Sequence, residues 1–211
     1  MKSVLVALSL VAALAGCGKA EHESPLKYPT HSQEADNGIR RQMFILLSDH
    51  VVWTRSYIKA VFNKTGDGFI ASERLMKNQE ELGALFATYY GSEVGAKLTV
   101  LLKDHIRIAA EIVDDIGAGQ SSKFKTLNSD WQVNGYQIAD LLASLNPNWK
   151  QEQMREMWDK HLSTTSAEMT ARFQKDWGAD VIAYDQTYHH MLMFADILSD
   201  GIVAQFPDKF K

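Results

Sequence analysis

The 211-residue sequence has one cysteine, Cys17, and only four prolines. A single cysteine forms no internal disulfide. The chain beyond position 17 therefore has no thiolate metal site, no cysteine nucleophile and no c-type haem attachment. The prolines stand at the edges of periodic segments and interrupt none of them. Beyond the N-terminal region there is no convincing strand alternation. A basic stripe is missing too: 22 basic side chains face 26 acidic ones, for a net charge of −4, which argues against nucleic acid as the partner. Signatures of catalysis are equally scarce. There is no Glu-x-x-His pair of the kind ferritin-like di-iron bundles use, no His-Glu-x-x-His helix, and no glycine loop ending in Lys-Ser or Lys-Thr. Gly66-Asp67-Gly68 is a turn that nothing nearby completes into an EF-hand. With no Ser/His/Asp set or paired carboxylates at interpretable spacing, the sequence leans away from an enzyme.

The N-terminus opens with Met1-Lys2-Ser3, a short cationic start, and an apolar run over residues 4–14. That run is too short to span a bilayer and reads as the apolar segment of a signal peptide. It ends on Leu14-Ala15-Gly16-Cys17, which resembles the bacterial lipobox, whose cysteine is lipidated and becomes the mature N-terminus. Residues 1–16 are thus expected to be a lipoprotein signal peptide. Residues 17–36, polar and punctuated by Pro25 and Pro29, are expected to be a flexible tether carrying His22 and His31 as solvated bystanders. The expected location is the cell envelope, held to a membrane by lipid on Cys17. Gly18 follows the cysteine in place of the aspartate that retains lipoproteins at an enterobacterial inner membrane, so in a Gram-negative cell the expected address is the outer membrane, facing the periplasm.

Residues 37–211 read as an all-α domain, an up-and-down bundle of about five long helices plus one short helix. The periodicity predicts long helices over about 37–64, 92–116, 122–145, 148–177 and 180–206. Asn78-Gln79-Glu80-Glu81 resembles a capping box opening a short helix over 78–90. The first stripe, Ile39, Met43, Leu46, His50, Trp53, Tyr57 and Val61, has core-facing spacing.

Three histidines stand on such stripes in similar settings: His50 after Leu46-Leu47-Ser48-Asp49, His105 after Leu101-Leu102-Lys103-Asp104, and His161 after Met157-Trp158-Asp159-Lys160. Each falls near the middle of its helix, as does Asn134, and in an up-and-down bundle helix midpoints share one layer. Interior polar groups are costly unless paired, so the expected occupant of that layer is a metal ion. On the last long helix Asp185 and His189 share one face, and Glu168 lies in register with His161. The expected ligand set is thus His50, His105 and His161 with Asp185, His189 or Glu168, and Asn134 orienting a ligand imidazole from behind. His190 is read as exposed. Nitrogen-rich donors with one or two carboxylates suit iron, zinc, copper or nickel better than calcium or magnesium. Two other readings compete: a buried polar layer that only sets helix packing, and noncovalent haem held between the histidines. Protein partners are not indicated.

His50-Val51-Val52-Trp53-Thr54-Arg55, Asn146-Pro147-Asn148-Trp149 and the stretch from Asp196-Ile197-Leu198 through Gln205-Phe206-Pro207 resemble a group of small all-helical bacterial proteins of unsettled function. The likeness covers most of residues 41–210. It implies a helical bundle without implying a reaction, and the lipobox and tether are not part of its pattern.

Overall fold

The computed structural model describes residues 31–119 and 123–211, with side chains from Gly38 onward. The signal peptide, Cys17 and His22 lie outside the described residues. Among those residues every regular element is helical: α1 (His31–Asn63), α2 (Gly68–Tyr90), α3 (Ser92–Gly117), α4 (Phe124–Leu145), α5 (Gln151–Phe173) and α6 (Trp177–Gln205), followed by a short 3-10 turn at Pro207–Phe210. The fold is the expected all-α bundle. Each helix packs on the next, and α6 returns to pack on α1, which closes the six into a ring. Helices α1, α3 and α5 also touch one another across its interior.

The expected short helix is in fact long. α2 spans 23 residues and begins at Gly68, ten positions before the apparent capping box. Asn78 and Gln79 are fully buried and continue an inward face set by Ala71, Leu75 and Leu82. The Asn78 side chain caps nothing. Its Nδ2 donates to the Leu46 carbonyl of α1 at 2.9 Å, so a polar group that resembled a solvent-facing cap is an interhelical bond in the core. α1 likewise starts earlier than expected, which places His31 at its first residue and not in a tether.

The connections are short enough to force antiparallel neighbours. α2 and α3 are joined through Gly91 alone, at φ 90°, a conformation that glycine adopts without Cβ strain. Just beyond that turn the two helices nearly touch. A Cβ on Gly95 would lie 2.5 Å from the Gly83 carbonyl oxygen, so neither position has room for a side chain. Helix ends near Gln205 are clamped by a polar chain: Asn146 donates to the Tyr90 hydroxyl at 2.9 Å, Tyr90 donates to Gln205 Oε1 at 2.9 Å, and Gln205 donates to the Leu145 carbonyl at 3.0 Å.

The ring is built from three helical hairpins of one design, α1–α2, α3–α4 and α5–α6. His50, His105 and His161 are spaced by 55 and 56 residues, and Asn78, Asn134 and His190 by 56 and 56. The carbonyl four residues before each of the first three accepts a bond from the matching member of the second set. Asn78 donates to Leu46, Asn134 to Leu101 at 3.0 Å, and His190 to Met157 at 2.8 Å. The core repeats with the same period: Leu82, Ile138 and Phe194 are buried equivalents, as are Phe86, Leu142 and Leu198. The molecule therefore has an approximate internal threefold axis running between α1, α3 and α5.

Candidate functional site

The three histidines from α1, α3 and α5 meet on that axis. They are buried at 6%, 1% and 3% exposure for His50, His105 and His161. Ring centroids lie 5.5 Å apart for His50 and His161 and 5.7 Å for His105 and His161. Two tryptophans wall the cluster. Trp131 stacks on His105 at 5.1 Å, and Trp158 meets His105 edge-on at 4.9 Å and His161 at 5.6 Å.

Burial keeps all three imidazoles neutral. It lowers His50 to about 4. Burial first, and then the neighbouring His50, lowers His105 to about 3 despite its bond to Asn134. His161 falls well below the usual value through burial and the nearness of His50, His105 and His190. Neutral imidazole is the form that ligates a metal.

The tautomer of His105 follows from its partner. Asn134 Nδ2 is committed to the Leu101 carbonyl, so its Oδ1, 3.0 Å from His105 Nδ1, accepts that N–H. A neutral ring carries one N–H, which leaves His105 Nε2 with a free lone pair. Asn134 thus bonds the His105 ring at Nδ1 and fixes its orientation. At His50 the nearest side chain is Gln79, whose Nε2 lies 3.4 Å from His50 Nδ1 but spends its hydrogens on the Leu75 carbonyl and Asn78 Oδ1, so His50 has no acceptor behind it like the one Asn134 gives His105.

The third hairpin departs from this pattern. His190 occupies the place of Asn78 and Asn134. Its Nε2–H goes to Met157, but an imidazole has no carbonyl oxygen to offer in return. His161 Nδ1 is accordingly buried without a hydrogen-bond partner. Gln79 Oε1, Trp131 Nε1 and Trp158 Nε1 are buried and unpartnered around the same cluster. Native interiors leave few such groups.

Two small cavities sit on the axis, one on each side of the histidine layer. The first, of about 20 Å³, lies toward the C-terminal ends of α1, α3 and α5 and is lined by the equivalent residues Ile58, Val113 and Met169 together with all three histidines. The second, of about 40 Å³, lies on the opposite side. His50, His161, Gln79 and Trp158 line one end of it, and the remainder is apolar. Neither has room for a porphyrin.

Several expected site residues lie elsewhere. Asp185 and His189 are exposed on α6, and His190, expected outside, is buried at 3% exposure. The inward face of α6 is the one carrying Ala183, Thr187, His190 and Phe194, about a hundred degrees from the face inferred from sequence. Two neighbouring stripes of this helix both carry apolar residues, and apolarity alone does not choose between them. Glu168 is buried at 1% exposure but stands seven residues, about 10 Å along the helix, from His161. It is engaged there by Arg55, whose Nη1 donates to Glu168 Oε1 at 2.6 Å. The same guanidinium grips Asp180 with two bonds of 3.0 Å. Arg172 adds a third to Asp180 at 3.2 Å. Burial pushes the Glu168 carboxyl up to about 7 against the pull of Arg55.

Arg55, Gln79, Trp131 and Trp158 were not singled out by the sequence reading. The histidine period does carry a signal for Asn78, which precedes Asn134 by the same 56 residues that separate His105 from His161, but none for Gln79, whose counterparts are Gly135 and Met191.

As their side chains stand, no three or more His, Cys, Asp or Glu among the described residues form a group able to hold a metal ion. No helix among them is long and apolar enough to cross a membrane. Comparison with protein-family models, with curated proteins and with solved structures finds no match to the chain.

Proposed function

We propose that this protein binds one transition-metal ion on its internal threefold axis through His50, His105 and His161, as a carrier, sensor or small redox protein of the cell envelope. The observation that carries the reading is the meeting of three neutral imidazoles from α1, α3 and α5 at one buried level of the bundle. Two imidazoles bound to one tetrahedral ion at about 2.1 Å have centroids about 5 Å apart, close to the 5.5 and 5.7 Å found here. Binding requires the rings to turn so that their lone pairs converge. Iron, zinc and copper suit such a nitrogen set. Asp185, His189 and Glu168 are not part of this proposal.

A cobalt(II) titration of the purified chain tests it. The expected result is one equivalent bound, with the visible absorption of a low-coordinate nitrogen site, and binding weakened by orders of magnitude in His161→Ala. Failure of cobalt, zinc, iron(II) and copper to bind or to raise the melting temperature overturns it.

A purely structural layer is the second reading. It is favoured by the closed chain from Leu101 through Asn134 to His105, which would fix helix register without any ion. On that reading His161→Leu is at least as stable as the native chain, because it removes the unpaired nitrogen.

Membrane attachment through lipid on Cys17 is part of the same proposal and rests on Leu14-Ala15-Gly16-Cys17. Loss of palmitate labelling and release from the membrane fraction in Cys17→Ala are the expected results. Unchanged fractionation of that variant counts against the anchor.

A further inference from the structure

We infer that the end of the bundle formed by the α1–α2, α3–α4 and α5–α6 turns docks on the headgroup layer of an anionic phospholipid bilayer. The inference is independent of the metal reading and of lipid on Cys17. The three turns lie together. Phe62, near the end of α1, meets Phe173 of α5 at 5.9 Å, and Gly117, the last residue of α3, abuts Val61 and Phe62. Every exposed phenylalanine or tryptophan among the described residues is at this end: Phe69, Phe124, Phe173 and Trp177. They stand in the first turn of α2, at the first residue of α4, at the last of α5 and at the first of α6. Ile70 and Ile182 are exposed beside them. Single apolar residues on a surface are ordinary, whereas a concentration of them marks a site of interaction.

The charge of the same turns names the partner. Lys64, Lys123, Lys125 and Lys175 are exposed there, against the exposed aspartates Asp67 and Asp176. Asp67 accepts from Thr65, and Asp176 from the Ala179 amide. None of the four lysines forms an ion pair with a described residue. The chain as a whole carries −4, so these turns are a local positive region on an acidic protein. Lys64 and Lys175 have φ of 55° and 60° and are the repeat equivalents of Gly119 at 69°. Glycine takes that conformation without strain, so two of the three turns hold a lysine where the backbone favours glycine. Lysine is depleted from the cores of protein interfaces. Aromatic rings beside lysines suit a bilayer surface instead, where the rings sit at headgroup level and the ammonium groups meet anionic lipid. α1 runs 33 residues from His31 to this end, about 50 Å, so the contact is at the far end of the bundle from the start of α1.

Phosphatidylcholine vesicles with and without phosphatidylglycerol test it, on the full chain carrying Cys17→Ala so that no lipid is attached. Residues 4–14 are common to all variants, so differences between variants report the bundle. Trp177 is the one exposed tryptophan among the described residues. Brominated lipid is expected to quench its fluorescence in vesicles that contain phosphatidylglycerol, and Trp177→Phe to lose that quenching. Phe69→Ser with Phe124→Ser is expected to weaken vesicle binding about tenfold or more. Should that pair lower the melting temperature, Phe124→Ser alone gives the same reading. Lys64→Gln with Lys175→Gln is expected to weaken binding at low salt, where attraction to the anionic surface is least screened. Absence of quenching at every phosphatidylglycerol content overturns the inference, as does binding that neither pair weakens. Self-association abolished by the phenylalanine pair, without quenching by lipid, overturns it in favour of a second copy of the chain.

Discussion

His190 donates to the Met157 carbonyl at 2.8 Å, and Met157 stands four residues before His161. The pair is the third copy of a contact made twice before, by Asn78 on Leu46 and Asn134 on Leu101. In each copy a side chain from the second helix of a hairpin reaches the carbonyl one turn before a core histidine. The first two copies use an asparagine and the third a histidine; of the asparagines, only Asn134 also faces its ring nitrogen, since the Asn78 oxygen accepts from Gln79. An asparagine can donate to the carbonyl and still accept from the histidine ring, and a histidine at that place can only donate or wait for another donor. The unsatisfied nitrogen of His161 is the consequence.

His190→Asn should repair the third copy. The amide can donate to Met157 and offer its oxygen to His161 Nδ1, as Asn134 does for His105. Some ring volume is lost, so the proper reference is His190→Ala. Urea denaturation is expected to find His190→Asn about 1 kcal/mol or more above His190→Ala, the net worth of a buried hydrogen bond. Equal stability of the two variants would mean that the asparagine does not adopt the geometry of its repeat equivalents.

Asn134→Leu should expose the opposite cost. It leaves the His105 ring N–H without its acceptor in a site 1% exposed. The expected loss is about 1–3 kcal/mol in urea denaturation. Metal affinity should drop about 10–100-fold, since the group behind a ligand histidine fixes its tautomer and orientation. A stability loss with unchanged metal affinity would show that Asn134 serves the helices alone.

The fold and the histidine layer were legible in the sequence because both depend on periodicity. Apolar stripes marked the helices, and a histidine replacing leucine on three of them marked the layer. The threefold repeat is masked in the sequence because Asn78-Gln79-Glu80-Glu81 has the pattern of a helix start. A helix starting there would leave Asn78 at a solvent-facing end, whereas its counterpart Asn134 lies mid-helix in α4. Asp185, His189 and His190 failed for a different reason. α6 is apolar on several faces, so its rotation is set by contacts with α1 and α5 and not by its own pattern. Arg55 sits next to Thr54 and Ser56 on a half-buried face, and only the arrival of Glu168 and Asp180 from distant helices gives it a role.

Arg55→Met should be the most damaging single change outside the histidines. Glu168 and Asp180 side chains are 2% and 3% exposed, and removing the guanidinium strands them. Breaking a buried ion pair from one side costs about 3–5 kcal/mol. Replacing the carboxylates as well, in Arg55→Met with Glu168→Gln and Asp180→Asn, should recover part of that loss. Arg172 keeps Asp180 partly compensated in the single variant, so the lower end of the range is expected. A loss under 1 kcal/mol in urea denaturation would show that the network contributes only surface-like pairing.

Acid should destabilise the metal-free bundle from about pH 6.5 downward. The unfolded chain binds a proton at each histidine near the ordinary value of about 6.5, whereas in the folded chain His50 waits until about 4 and His105 until about 3, with His161 also held low. Between those limits the unfolded state binds more protons, so stability rises with pH and is lost as pH falls. Glu168 acts with the opposite sign. Its folded value near 7 exceeds the unfolded carboxyl value, so its contribution is present at low pH and fades as pH rises toward 7. Three rings outweigh one carboxyl, so the net slope should follow the histidines. Thermal denaturation from pH 7.5 to 4 is expected to show a steep fall in melting temperature below pH 6.5. Combining His50→Leu and His161→Leu should flatten it. A profile that stays flat between pH 6.5 and 4.5 would mean that the rings titrate freely and are not locked neutral on the axis.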